Sequence, residues 1–547
     1  MKITPKNHQS ALPLDKIILK DQPETDETVP MDVLFVGAGP AGLSGAIELA
    51  RLVQEDNNNG GGLGEIEIGL LDKAENLGGH NLSGAVVNPI GFKELFPGME
   101  ESEFPFKQKV KGDSVYYMTE SGNIPIPTPP TMHNSGNYVA SICEICRWLG
   151  DKAEGMGVNL LTSFPADSLL TEGQKVTGVR TTPAGLDRDG NASADSMPAT
   201  DITAQITVLT EGTRGALGQA YMQWQNIEPD SPQIFALGVK ELWKVKKVPE
   251  NVTHTLGYPL PKDCFGGSFM YPQSNDTLSI GLVAGLDYKE SHLDVHARLQ
   301  QMKQHPLFKQ YLEGGELLEW GAKTIPEGGY HSLPKRLHGD GLLMAGDTVG
   351  FVNVPALKGI HYAMLSGIYA ARTAFAALKQ GKTDSSVLSQ YDDLVKQSVI
   401  YKDMKKVRNM RHAFKSGFYS GGIKASLMTL TGGAFPSLSG PFEGDDEEEK
   451  TYVAPETQKV GISKVDAVYL SGNKTRDDIP QHLTVGKDIS PEVADFYSSL
   501  CPAGVYERQG DQLVVNAPNC VDCKATDVLG PRWQPREGGA GPNYKDM

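Results

Sequence analysis

Residues 32–52 read Asp32-Val33-Leu34-Phe35-Val36-Gly37-Ala38-Gly39-Pro40-Ala41-Gly42-Leu43-Ser44-Gly45-Ala46-Ile47-Glu48-Leu49-Ala50-Arg51-Leu52. A short β-rich run over 32–36 ends at a glycine-punctuated turn, and helical periodicity then continues through residue 52. Strand, tight turn and helix in that order form a dinucleotide cradle. Gly37 permits the turn, Gly39 lets a pyrophosphate approach the backbone, and Gly42 lets the helix pack on the strand, with the helix N-terminus facing the anion. A second strand is expected over 65–71 and ends at Asp72, whose carboxylate is placed to accept hydrogen bonds from a ribose hydroxyl. Asp72 lies 30 residues beyond Gly42, against a usual spacing of about 20. The Asn/Gly-rich stretch 57–64 accounts for the excess as a loop.

A second glycine-aspartate turn, Leu343-Met344-Ala345-Gly346-Asp347-Thr348, separates FAD from NAD. A strand-end aspartate of this kind meets the ribityl chain of a flavin. The helix expected from about 358 to 378, opening at Lys358-Gly359, would point its N-terminus at the pyrimidine side of the ring, where the dipole favours a reduced, anionic flavin. FAD is therefore the expected cofactor, with Gly37, Gly39, Gly42, Asp72, Gly346, Asp347 and Gly359 as candidate binding residues. Further strands over 202–209 and 341–345 make the cofactor domain discontinuous, with a β-rich middle over 235–286.

The rest of the composition narrows the field. At 547 residues and 59.1 kDa the chain is long enough for several domains, and a formal charge of −16 repels phosphate backbones, so no nucleic-acid partner is expected. No window offers the roughly 18 to 20 continuous apolar residues of a bilayer-spanning helix. Residues 1–30 contain no arginine, no apolar signal core and five acids, which reads as a cytosolic bacterial start. The six cysteines are too few for a disulfide framework. Cys143 and Cys146 share an apolar face of a helical run over 139–156 and are read as packing, as is Cys264. Cys501, Cys520 and Cys523 follow a charge run at 445–450 that marks a C-terminal module, and they invite a metal reading.

Many further segments match one family. The sequence resembles the electron transfer flavoprotein-ubiquinone oxidoreductases over about residues 32–547. It does so in Val36 through Ser44, Leu82-Ser83-Gly84-Ala85, His254-Thr255-Leu256-Gly257, Gly266-Gly267-Ser268-Phe269, Glu327-Gly328-Gly329-Tyr330, Gly350-Phe351-Val352-Asn353-Val354-Pro355, Cys501-Pro502-Ala503-Gly504-Val505-Tyr506 and Gly541-Pro542-Asn543-Tyr544. The resemblance implies an α/β plus α+β architecture: a discontinuous glutathione-reductase-like FAD domain, a mixed β-sheet ubiquinone-binding domain and a small ferredoxin-like iron-sulfur domain. The boundaries it suggests are an N-terminal arm at 1–30, FAD domain at 31–235 and 346–440, ubiquinone-binding domain at 236–345 and C-terminal domain at 441–547.

The resemblance also implies partners and site residues. Reduced electron transfer flavoprotein is the expected donor and ubiquinone the acceptor. Gly266 and Gly267 are implied to contact the quinone head group, the segment around Asn353, itself a candidate site residue, to lie beside the flavin ring, and His80 to stand near it as a base or a structural hydrogen-bonding group. A 4Fe-4S cluster is implied, with Cys501, Cys520 and Cys523 as ligands. Its fourth cysteine is replaced here by Thr526, which leaves a cluster with an unusual ligand from Asp522 or Asp527, a three-iron cluster, or none. Peripheral membrane contact is implied through Phe414, Phe418, Tyr419, Ile423, Leu427, Met428, Leu430 and Phe435, with Arg411, Lys415 and Lys424 facing lipid head groups, on the cytoplasmic face of a bacterial inner membrane. Two other functions fit the residues: a cluster-free FAD-dependent reductase acting on a lipid-like substrate, and a binding scaffold without turnover.

Overall fold

The structure is a computed structural model and describes residues 1–23, 25, 27–414, 428, 431, 443–456 and 460–547. Its first sheet is built on the strand Thr28–Val36, which runs parallel to Ile68–Asp72 on one side and Asp201–Leu209 on the other. Asn159–Thr162 and Leu342–Met344 extend the parallel part. Val33, Leu34 and Phe35 are fully buried, as befits a parallel strand covered on both faces. Lys175–Thr181, Ala166–Glu172 and Ile18–Lys20 continue the sheet beyond Asp201–Leu209.

The helices Pro40–Asn58 and Ile360–Gln380 pack side by side on this sheet. Their approach is close enough that a Cβ at Gly367 would stand 2.0 Å from the Ala41 carbonyl oxygen. Only glycine fits there, so the second helix is locked over the first turn of the first.

The second sheet has seven strands in the order Glu316–Pro326, Phe235–Lys244, Thr277–Gly285, Gly266–Pro272, Val252–Gly257, Asp113–Met118, Asn123–Ile126. Val252–Gly257 pairs in parallel with Asp113–Met118 and all other pairs are antiparallel. The sheet is mixed. The C-terminal module packs on it through a shared apolar core that joins Leu237, Ile280 and Ala322 to Val493, Phe496 and Leu500.

Sequence boundaries miss how the sheets exchange strands. The hairpin 113–126, expected in the FAD domain, belongs to the second sheet, whereas Leu342–Met344, expected in the ubiquinone-binding domain, pairs with Asp201–Leu209 in the first. The arm is woven in as well, Lys2–Ile3 pairing with Lys450–Thr451 and Ile18–Lys20 with Ala166–Glu172. Short pairings of this kind leave no local periodicity to read.

Among the described residues no helix is long and apolar enough to cross a membrane. Of the expected membrane contacts, Phe418, Tyr419, Ile423, Leu427, Leu430, Phe435, Lys415, Lys424 and the side chain of Phe414 lie outside the described residues. Met428 is buried against Met410 and Ala413. Arg411 does not face lipid: it is buried and ion-paired to Asp287 at 2.9 Å. An unpaired buried guanidinium would be costly, so its acids dictate its direction.

Candidate active site

A cavity of about 1660 Å³ runs from the glycine-rich turn to Gly266 and Gly267. Pockets for one small ligand span roughly 300 to 1,000 Å³, so there is room for more than one. The three glycines of the turn divide by cause. A Cβ at Gly37 (φ +110°) would stand 2.4 Å from the Thr210 carbonyl oxygen, and one at Gly42 would stand 2.1 Å from the Gly37 carbonyl oxygen. Gly39 has ordinary extended backbone (φ −81°, ψ −175°), and a Cβ there meets only the Asn81 amide, at 3.4 Å. The chain itself requires the first and third glycines; the second keeps cavity space free. Helix Pro40–Asn58 starts with proline and no side chain caps it, so its first-turn amides remain for an anion.

Asp72 lines the cavity and braces the turn, accepting from the Ala38 and Ala74 amides at 2.8 Å each. Burial pushes its carboxyl up, against those amides. Each oxygen keeps a second lone pair for a ribose hydroxyl. Asp347 also lines the cavity, and burial pushes it up to about 6. Gly346 and Gly359 line the same wall, with Gly359 directly before helix Ile360–Gln380. A bound FAD fits these residues: an open cradle, uncapped helix amides, and carboxylates facing into the cavity.

Asn353 sits within a segment that lines the cavity. Its side chain is buried in the 353–358 turn, accepting from the Ala356 amide and donating to the Tyr362 hydroxyl, each at 3.2 Å, while Val352 and Val354 on either side line the cavity. Its amide shapes the turn. His80 lines the cavity and turns its Nδ1 toward Asp522 of the C-terminal module at 3.6 Å. Burial, reinforced by Lys73, holds it well below the ordinary histidine range. Gly266 and Gly267 line the far end, but a Cβ at either would strike backbone of the neighbouring strands, Val283 O at 2.1 Å and Thr255 O at 2.2 Å. Substitution at Gly267 therefore disrupts the sheet before it fills a pocket. Cys143 and Cys146 are fully buried in helix Ile142–Glu154, as their packing role requires.

The C-terminal module meets the cavity through Lys524, Trp533 and Pro535. Just behind Lys524, Cys501, Cys520 and Cys523 are buried free thiols. The Tyr506 phenol is near all three and 3.4 Å from the Thr526 hydroxyl. Three thiols and one hydroxyl thus gather at one place, which fits an iron-sulfur cluster at three corners and offers the fourth a neutral oxygen. Neither carboxylate expected as a substitute is free. Asp522 is held by Arg536 at 3.0 Å, Lys73 at 2.6 Å and the Trp533 indole at 2.9 Å; Asp527 is held by Arg214 at 2.6 Å. Burial alone would raise Asp522, yet Arg536 and Lys73 hold it well below the usual carboxylate range. His482, Cys520 and Asp522 also approach one another closely enough for a metal ion, but Arg536 already lies against both His482 and Asp522.

Asp522 joins the module to the FAD domain through Lys73. Asp522→Ala leaves Arg536 buried without its carboxylate, and the expected loss of stability is about 3 to 5 kcal/mol. Thermal unfolding and limited proteolysis of the C-terminal module check it, and an unchanged melting temperature contradicts it. Lys73, Lys323, Lys524 and Trp533 were not legible as site residues, because a lone lysine or tryptophan has no motif. The one available signal was the position of Lys524 between Cys523 and Thr526.

Comparison with known proteins bears on the same places. The chain is 36% identical over 591 aligned residues to the mitochondrial electron transfer flavoprotein-ubiquinone oxidoreductase of Dictyostelium discoideum, covering 99% of this chain and 96% of that one. It is 35% identical to the mitochondrial protein of the same name from Homo sapiens, over 94% of this chain and 89% of that one. The chain belongs to the electron transfer flavoprotein-ubiquinone oxidoreductase family. The family's ubiquinone-binding model matches residues 235–325, and its 4Fe-4S model matches 458–545. The first range takes in Gly266 and Gly267, the second the three clustered cysteines together with Thr526.

Solved structures support the fold alone. A geranylgeranyl bacteriochlorophyll reductase-like protein from Thermoplasma acidophilum aligns with a TM-score of 0.55 at 17% identity, over 74% of this chain and 96% of that one. A flavin-dependent brominase aligns at 0.50 and 17%, over 74% and 94%. The fold is that of the glutathione-reductase-like FAD-dependent oxidoreductases, joined to the family's ubiquinone-binding and 4Fe-4S domains.

Proposed function

We propose that the protein passes electrons from reduced electron transfer flavoprotein, by way of an iron-sulfur centre and FAD, to ubiquinone. The observation that carries this reading is one cavity, in a chain of this family, that joins the open cradle at Gly39 to the Gly266–Gly267 wall and is closed by Lys524, one residue from Cys523. When bound, FAD and the iron-sulfur centre supply the electron-carrying chemistry that side chains lack.

The residues' tasks follow from their places. Gly39 and the first turn of helix Pro40–Asn58 hold the pyrophosphate, Asp72 the ribose, and Asp347 with Gly346 and Gly359 the flavin end. Cys501, Cys520 and Cys523 hold the iron-sulfur centre within a small domain read as ferredoxin-like. Burial, reinforced by Lys73, brings Lys323 down to about 8 and Lys524 to about 7. Both cations favour added negative charge in the cavity, and Trp533, with Lys524 3.2 Å from its ring centre, helps exclude water. Gly266 and Gly267 border the quinone head group through backbone groups.

The reading includes peripheral contact with the membrane that holds the quinone, expected as the cytoplasmic face of a bacterial inner membrane; the curated relatives named above are mitochondrial proteins. The test supplies flavin-replete protein with reduced electron transfer flavoprotein and a short-tailed ubiquinone, without oxygen. Quinol formation at roughly 1 to 1,000 per second is expected. No quinol from protein with full flavin content overturns the reading, and full turnover by iron-free protein replaces it with the cluster-free reductase.

A further inference from the structure

On the wall of the same cavity, around Phe265, lies a buried charge cluster that the functions above do not use. The Arg411 guanidinium stacks over the Phe265 ring at 4.0 Å, immediately before Gly266. It pairs with Asp287 at 2.9 Å and stands 3.5 Å from Glu327 Oε2, an ion pair too long for a hydrogen bond. Asp445 is buried in the same cluster, one oxygen accepting from the Phe235 amide at 2.7 Å. Lys450 is buried beside it, donating to the Leu286 and Tyr288 carbonyls. Glu327, Asp287 and Arg411 all line the cavity.

Two features set this cluster apart from a structural ion pair. The carboxyls of Asp287, Glu327 and Asp445 outnumber the cations Arg411 and Lys450, so full ionisation would leave a buried net negative charge. Full ionisation of the group is therefore disfavoured, and burial pushes both Glu327 and Asp445 up. The cluster also leaves Glu327 Oε2, Asp287 Oδ1 and Asp445 Oδ1 buried without a hydrogen-bond partner. Buried polar atoms are ordinarily paired, and Glu327 Oε2 has only the Arg411 guanidinium, at 3.5 Å, in the same cavity that Gly266 and Gly267 line.

We infer that Glu327 is the proton donor for quinone reduction, with Arg411 stabilising the carboxylate it leaves. This rests on the quinone reading above. Ubiquinone takes two electrons, which that activity supplies, and two protons to become ubiquinol. Glu327 gives one proton to a quinone oxygen, regains one from water, and gives the second; each transfer breaks one carboxyl O–H bond and forms one quinol O–H bond. The cavity wall reaches solvent at Lys289, whose side chain is 53% exposed.

The charge environment suits the task. Burial, opposed by Arg411, pushes Glu327 up to about 7, and burial with Asp287 pushes Asp445 up to about 8. The titratable groups facing Glu327 are Arg411, Asp287 beyond the strand Thr277–Gly285 and the Cys264 thiol, with Arg408 on a shared pocket wall; Asp445 and Lys450 stand behind Asp287 and Arg411. A donor must be protonated to act, so quinone reduction falls as pH rises through that value.

The test uses the FAD-loaded enzyme with two acceptors: short-tailed ubiquinone, which needs protons, and ferricyanide, which does not. Glu327→Gln is expected to slow quinone reduction about 100-fold, to abolish the alkaline decline, and to leave ferricyanide reduction and flavin content in place; Glu327→Asp restores the decline. A Glu327→Gln enzyme that reduces quinone normally with the decline intact overturns the inference. So does equal loss with both acceptors. If Glu327→Gln does not hold flavin, Arg411→Gln decides: losing the cation moves the decline up by about one pH unit or more, and an unmoved decline overturns the inference. Wild-type enzyme that makes no quinol at any pH refutes the quinone reading instead.

Discussion

Gly39→Val is expected to give folded protein without flavin. The backbone at Gly39 is ordinary extended conformation that a β-branched residue adopts without strain (φ −81°, ψ −175°). A Cβ there meets no backbone, only the Asn81 side chain at 3.4 Å, and the valine methyls would occupy cavity space where the turn admits a pyrophosphate. A steric conflict of about 3 kcal/mol is at the upper end of overpacking costs and corresponds to roughly 100-fold in Kd. Flavin per chain, released by denaturation and measured by absorbance, should therefore drop to a small fraction while the far-ultraviolet circular dichroism and the apoprotein melting temperature persist. Gly42→Ala provides the contrast. Its Cβ would lie 2.1 Å from the Gly37 carbonyl oxygen, so that variant should lose the turn itself and fail to fold cleanly. Full flavin content in Gly39→Val would show that the pyrophosphate lies elsewhere.

Those two glycines also show what a sequence discloses. The strand, turn and helix around 32–52 were legible because each element has its own local signal: an apolar run, positive-φ glycine and helical period. The second cofactor turn at Gly346-Asp347 was legible for the same reason. Strand exchange was not, since the hairpin 113–126 and the short strand Leu342–Met344 take their partners from distant segments. Nor does a motif disclose direction. Asn353 stood within a matching segment, yet its amide turns into its own loop; Arg411 stood at the edge of an apolar segment, yet it points inward to Asp287. Gly266-Gly267 illustrates a further limit: the sheet alone requires these glycines, so their presence cannot by itself report a ligand. Glu327 was visible only as part of Glu327-Gly328-Gly329-Tyr330, and only burial beside Arg411 and Asp287 exposes its chemistry.

The replaced cysteine leads to the largest spectroscopic effect. Wild-type protein prepared in air is expected to hold about three irons per flavin in a centre that shows an oxidised three-iron signal in electron paramagnetic resonance, because soft thiolate donors are available at three corners only. Cys501, Cys520 and Cys523 are free, buried and close to one phenol, that of Tyr506. Thr526 reaches the same phenol at 3.4 Å, so the chain delivers residue 526 to the site. Its hydroxyl is neutral and hard. The neighbouring carboxylates do not substitute, since Asp522 is held by Arg536 and Lys73 and Asp527 by Arg214. A fourth iron would therefore depend on water or an exogenous ligand and leave first under oxygen. Thr526→Cys places a thiolate where the hydroxyl now stands, and it should raise the count to about four irons per flavin and remove the three-iron signal after the same exposure to air. Iron and acid-labile sulfide analysis, read beside the spectra, need no turnover. A wild-type centre that keeps four irons in air, with Thr526→Cys indistinguishable from it, would mean that a donor other than residue 526 completes the cluster.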